Sequence, residues 1–226
     1  MLLTLSRYAR YVITAVWVIG GGWLFGETAG KARAAWLVVP TPPEIVRDVT
    51  IRNSPDDDGR RVSFRIMLFS DEFRWRINSF DTLDRGARPQ FTPEMKAVLN
   101  SAREIICVGA SSEEIPAGVS FQQGRAQEER RAARRAEKIA VWVREALDRP
   151  VPVRKLNVGH HAPEGNGDTS EQRRVVIILV LDKDEGANID QSLRSAMAGE
   201  AVRAPVFESL LTKYSLGGGE SFTWVP

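Results

Sequence analysis

Cysteine is all but missing from this chain. The one thiol, Cys107, sits in the apolar run Ile105 to Val108, so no intramolecular disulfide can form and a buried, unreactive thiol is expected. Histidine is nearly as scarce. His160 and His161 are the only two, and neighbours along a strand point apart, so they cannot share one metal ion, and Glu164 nearby does not complete a site. There is no Ser/His/Asp order, no CxxC pair and no phosphate-binding loop. Gly217 to Gly219 lack the strand-to-helix setting that such a loop requires and read as a flexible turn. Enzymatic activity, a metal and a cofactor are therefore all without support. Large net charge is lacking as well. At +2 it is too small to point to nucleic acid, and no aromatics are interleaved with the basic residues as a single-stranded polymer would require.

What is present is a globular composition, 43% hydrophobic and 27% charged, with the charge unevenly placed. Between Arg125 and Lys155 there are ten basic and five acidic residues. This span holds the segment Gln123 to Leu147, in which Ala132, Ala136, Ile139, Ala140, Val143 and Leu147 recur at helical spacing and form one apolar stripe. Around the rest of the cylinder stand Arg130, Arg131, Arg134, Arg135 and Lys138. Like charges four residues apart cost a few tenths of a kcal/mol each, so the cationic face is an expense that packing must offset. The face is expected to be solvated, or to meet an anionic polymer, a lipid headgroup or an acidic protein surface. The partner expected for the helix is the strand Gln172 to Val180, whose β-branched run suits a position covered on both faces.

Taken in order, the chain suggests four parts. Residues 1–35 carry the uncharged run Tyr11 to Gly26 behind Arg7 and Arg10, which reads as a membrane segment. It is either a signal peptide cleaved near Ala32-Arg33-Ala34 or a signal anchor, and the charged residues after Gly26 favour the anchor. Residues 36–90 are a Pro-rich spacer (Pro40, Pro42, Pro43) followed by a β-hairpin region. Val62, Phe64, Ile66 and Leu68 alternate with Ser63, Arg65 and Met67, and Phe73, Trp75 and Ile77 alternate with Arg74 and Arg76, with Ser70 to Glu72 as the turn. Val46 to Ile51 is a further candidate strand. Residues 91–181 give a short helix capped by Thr92 and Pro93, the strand Ile105 to Val108, the long helix, a strand Val153 to Val158 and the last core strand. Residues 182–226 suggest one or two short helices, with Phe222 and Trp224 docked on the domain. The fold class expected is α/β (α+β): a two-layer sandwich of a mixed sheet with helices on one face, plus one N-terminal membrane helix.

Three pieces in the third part carry a resemblance. They are FTPEMKAVLNSA from Phe91, Arg135-Ala136-Glu137-Lys138-Ile139, and Gln172-Arg173-Arg174-Val175-Val176-Ile177, with Gly159 and Pro163 in the loop before the last. In order and spacing, Phe91 to Leu181 resembles the OmpA-like C-terminal domain family, a periplasmic module that binds peptidoglycan. The resemblance implies that Arg135 grips the carboxylate of the diaminopimelate in the stem peptide through a fork of N–H groups, while an aspartate takes its ammonium. Here the family's GHTD is replaced by Gly109-Ala110-Ser111-Ser112, so Ser112 stands at the aspartate position and Glu113 or Glu114 is the substitute acid. The implied ligand-binding set is Arg135, Ser112, Glu113, Glu114 and Gly109, with Arg131 one turn before the arginine. The function implied is a non-catalytic cell-envelope protein, in the inner membrane with a periplasmic domain or periplasmic if the leader is cleaved. It either binds peptidoglycan stem peptide or serves as a structural or scaffolding subunit among envelope-complex proteins, its pocket lost. Its partners are peptidoglycan or those proteins, and the membrane through the N-terminal helix.

Overall fold

The computed structural model describes residues 45–226 except 71, 72, 85, 87, 89, 116, 166, 202 and 204; the expected membrane segment and Pro-rich spacer lie outside them. Among the described residues, no helix is long and apolar enough to cross a membrane.

The first two strands form a hairpin. β1 (Ile45–Pro55) pairs antiparallel with β2 (Arg61–Phe69) through a turn that Asp56 organises. Its carboxylate accepts from the N–H groups of Asp58 (3.0 Å) and Arg60 (2.8 Å), and Gly59 supplies the positive φ of 80° that the turn needs. The alternation read from sequence is realised in β2. Val62, Phe64, Ile66 and Leu68 point into one core, and Met67 and Phe69 into the other.

The second strand expected for this hairpin, Phe73 to Ile77, is not one. The partner of β2 is β1, and residues 73–84 make only isolated bridges, Arg74 with Arg174 and Trp75 with Leu83. The cause is where the main-chain carbonyls go. Those of Trp75, Arg76 and Ser79 accept from buried guanidinium groups instead of a neighbouring strand. A two-residue period in side chains is compatible with either partner.

Beyond this loop come α1 (Pro93–Ser101), β3 (Glu104–Ser111), α2 (Phe121–Ala146) and β4 (Val153–His160). The Thr92 hydroxyl caps α1, accepting from the Met95 N–H at 3.2 Å, as the Thr-Pro pair predicted. At α2 the helix begins two residues earlier than its apolar stripe suggests. Ser120 and Gln123 close a reciprocal capping box there. A 3₁₀ turn (Ser170–Arg173) then occupies the stretch expected to open the last core strand, and β5 runs over Val176–Lys183. Helices α3 (Ile189–Glu200) and α4 (Pro205–Thr212) and a short β6 (Thr223–Val225) complete the chain.

The fold is α+β with one mixed six-stranded sheet in the order β1-β2-β5-β3-β4-β6. Only β3 and β4 are parallel, and α2 is the crossover between them. α2 lies over β3 and β4, whereas the expected partner was the strand now seen as β5. With α1 it encloses a core of Leu99, Ile105, Ile139, Val143, Ile177 and Leu179, where Trp75 and Trp142 stack at 5.3 Å. That sheet-and-helix pair is the layering expected from the alternation. The C-terminal segment adds to it. α3 and α4 cover the opposite sheet face through Leu193, Met197, Phe207 and Leu210, so helices are not confined to one face. Phe222 docks in the same core, and Trp224 packs partly buried beside it. The sheet also runs across the boundary drawn at residue 90, because β2 pairs with β5.

Candidate functional site

At the C-terminal end of β3 the sequence-predicted residues meet α2. Gly109 is there for a steric reason. A Cβ on it would overlap the carbonyl oxygen of Ala132 and come within 2.6 Å of the Ala136 nitrogen, so helix and strand touch main chain to main chain. One turn along, Arg135 enters the gap. It is 0% exposed. Its Nε donates to the Ser79 carbonyl at 2.9 Å, Nη1 to the Ala110 carbonyl at 2.7 Å and Nη2 to the Arg76 carbonyl at 3.3 Å. The guanidinium also lies 5.7 Å from the Trp75 ring centre. Burial pushes its pKa down to about 9, assisted by the nearby Arg131 cation and opposed by Glu128, so it remains charged at neutral pH. The fork of N–H groups expected to hold a ligand carboxylate is occupied by the protein's own backbone.

Arg131 is similarly engaged. It pairs with Glu128, which is 1% exposed and also accepts from the Ser111 hydroxyl. Glu128 escaped notice in the sequence, where it counted only as an offset to surface arginines. Its spacing of seven from Arg135 places both on the buried stripe, and that spacing was the available signal.

The acidic side of the expected pocket faces elsewhere. Ser112 is buried, and the Glu113 N–H donates to Gln172 Oε1 at 2.9 Å. The carboxylate of Glu113 accepts from the Glu164 N–H, and that of Glu114 from the Thr169 hydroxyl. Burial raises the Glu114 pKa, but hydrogen bonds from Ser112 and Thr169 outweigh it and hold the carboxyl below the usual range. These groups knit the segment 111–114 to the loop 161–172. Gln172 is in turn held by Tyr214, whose hydroxyl donates to its carbonyl at 2.8 Å. Gly109, Arg131 and Arg135 are thus brought together, while Ser112, Glu113 and Glu114 serve a separate loop-to-loop network.

The two histidines diverge as their adjacency requires. His160, 2% exposed, turns toward α2, edge-on to Phe121 at 6.2 Å, and its Nε2 has no hydrogen-bond partner among the described residues. Burial lowers its pKa, against opposing contributions from the Glu113 carbonyl and Glu128. His161 turns toward α4, edge-on to Tyr214 at 4.8 Å, with Nδ1 at 2.7 Å from the Ala162 carbonyl. Among the described residues no group of three His, Cys, Asp or Glu could hold a metal ion.

A cleft of about 260 Å³ opens on the α4 side, with Leu68, Ala110, Val176 and Leu210 among its lining residues. Charges at this cleft pair with each other, Lys213 with Glu164 and Arg174 with Glu171. It shares Ala110 with the Arg135 cluster, whose guanidinium takes the Ala110 carbonyl from the α2 side of the sheet. No family model, no curated protein and no solved structure matches this chain.

Proposed function

We propose that this chain is a non-catalytic module of the bacterial cell envelope, similar to the OmpA-like C-terminal domain in design, that serves as a structural or scaffolding subunit of an envelope complex. One observation carries the choice between scaffold and peptidoglycan binder. Arg135, the residue that the resemblance assigns to the stem-peptide carboxylate, spends its donors on the carbonyls of Arg76, Ser79 and Ala110. A ligand carboxylate gripped by the fork would have to displace buried hydrogen bonds to the protein's own main chain, and the Ser79 or Ala110 carbonyl that lost its guanidinium donor would cost about 1–3 kcal/mol. Ser112 at the aspartate position, and Glu113 and Glu114 engaged with the loop 161–172, support the same reading. The N-terminal apolar run supports attachment at the inner membrane with the domain in the periplasm, or release into the periplasm if the leader is cleaved.

The test uses the full chain on purified peptidoglycan sacculi. Retention no greater than that of an unrelated protein, and unchanged by free diaminopimelate, is expected. Retention that diaminopimelate competes away sinks the scaffold reading in favour of the stem-peptide pocket. Chemical crosslinking in intact cells supplies the second arm: the chain should run in a high-mass species, and recovery only at its own mass counts against an assembly role.

A further inference from the structure

The four large hydrophobic residues that the described structure leaves exposed are Ile77 (49%), Phe80 (37%), Phe121 (54%) and Val141 (38%). Phe121 and Val141 belong to α2, and the loop carrying Ile77 and Phe80 is fastened to the same helix by Arg135. Phe121, at the first turn of α2 and edge-on to His160, stands apart, but Val141 lies on the outer side of α2 beside Asp81 and the loop of Ile77 and Phe80, so these three are not scattered singly.

The loop's construction explains why they face out. Arg135 draws the carbonyls of Arg76 and Ser79 inward, and Asn78 takes a positive φ of 59° to complete the turn. The Ser79 hydroxyl then ties Asp81 and Thr82 together. Carbonyls inward put the Ile77 and Phe80 side chains outward on a braced tip.

Cations surround this tip. The Arg134 guanidinium lies 4.7 Å from the centre of the Phe80 ring, and Arg130 is one turn away on the same helix face. Among the described residues neither arginine has a carboxylate partner, although both are exposed. Lys138 follows one turn later, facing Asp81, whose carboxylate is already committed to Ser79 and Thr82. Glu137 and Glu145 are the other acids on this face, Glu145 already paired with Arg88, so the basic groups Arg88, Arg130, Arg134 and Lys138 outnumber the acids Asp81, Glu137 and Glu145.

We propose that the outer face of α2 together with the loop 76–80 docks on an anionic phospholipid surface. Apolar tips interleaved with arginines are what a membrane interface accepts, the rings and aliphatic ends entering among the headgroups while guanidiniums bind phosphate oxygens. The choice of a bilayer also rests on the membrane-attachment part of the reading above. Between Gly26 and β1 lie only residues 27–44, a tether of at most roughly 65 Å when fully extended. Within that reach the local concentration of headgroups makes even a weak surface effective.

The test is an environment-sensitive fluorophore on Ile77→Cys in the full chain reconstituted into vesicles; Cys107 is 0% exposed and stays unlabelled. Vesicles of neutral phosphatidylcholine are compared with vesicles one-third phosphatidylglycerol. Emission should rise about twofold and shift to the blue on the anionic vesicles, fall back in high salt, and fail to rise in an R130E/R134E double variant or in Phe80→Ser. The same label on Ala198→Cys, in α3 on the opposite side of the sheet, should not respond. Equal emission on both vesicles overturns the proposal, as does a rise that survives R130E/R134E. A rise produced by soluble polyglutamate but not by vesicles also overturns it, in favour of an acidic protein surface. Failure of the chain to stay with neutral vesicles removes the anchor alone, and the emission change on anionic vesicles still decides the docking face.

Discussion

Gly109 on β3 and Ala132 on α2 meet without a side chain between them. A Cβ at position 109 would overlap the Ala132 carbonyl and crowd the Ala136 nitrogen at 2.6 Å, and both atoms are main chain that cannot rotate away. Gly109→Ala must therefore lift the helix from the sheet where the two touch main chain to main chain. A loss of about 3 kcal/mol is expected, read from the shift of the urea midpoint. A variant as stable as wild type would show that the helix can slide.

Arg135 works as an internal clamp. Replacing it by Met keeps the aliphatic stem but takes the guanidinium donors from the carbonyls of Ser79 and Ala110, while the Arg76 carbonyl keeps only the Ser79 N–H at 3.1 Å. A cost of about 3–5 kcal/mol is expected, and Arg135→Lys should recover little of it because one ammonium cannot span three acceptors with the geometry of the fork. The signature is local. Limited trypsin digestion should cut after Arg76 in these variants at denaturant levels where wild type is intact.

His160 gives the domain an acid sensitivity. Burial holds its folded pKa below the usual imidazole range, so the unfolded chain binds the proton more readily. Its contribution is complete above the unfolded pKa and is lost as the pH falls through the folded one. Urea midpoints of wild type should decline on acidification through this window, and His160→Gln should flatten the decline. Parallel profiles for the two proteins would exclude this residue as the cause.

Asp56 binds the hairpin turn to the opposite helical layer. Its carboxylate accepts from Asn188 at the N-terminus of α3 as well as from Asp58 and Arg60, and these bonds hold its pKa below the usual carboxylate range, the Asn188 bond most. For an acid with a depressed pKa, the stabilisation is present above the unfolded value and disappears as pH falls through the folded value. Asp56→Asn should therefore lower Tm at neutral pH, and the gap to wild type should close below about pH 4.

Features set by neighbours in sequence were legible before the fold was known. The Thr92 cap, the apolar stripe of α2 and the two-faced pattern of β2 are each fixed within a few residues. Features set by distant partners were not. Phe73 to Ile77 has the period of a strand, and nothing local reveals that Arg135 and Arg173 claim its carbonyls. The same blindness affected the site. Arg135 looks like a ligand-binding arginine from its motif, and only the position of Ala110 and the loop 76–79 shows the side chain to be consumed internally. The second helical layer was seen as helices without a place, because the face on which α3 packs depends on β1 and β2, joined to it from well over a hundred residues away.

The strand order places β5 between β2 and β3, both of which precede it by at least 65 residues. Until residue 183 has emerged from the ribosome, β2 and β3 each display an unsatisfied edge, and the sheet exists only as two separate halves. A ribosome-bound intermediate stopped short of β5 is thus open to strand exchange with other chains, and it has to be sheltered until that late ribbon closes the gap.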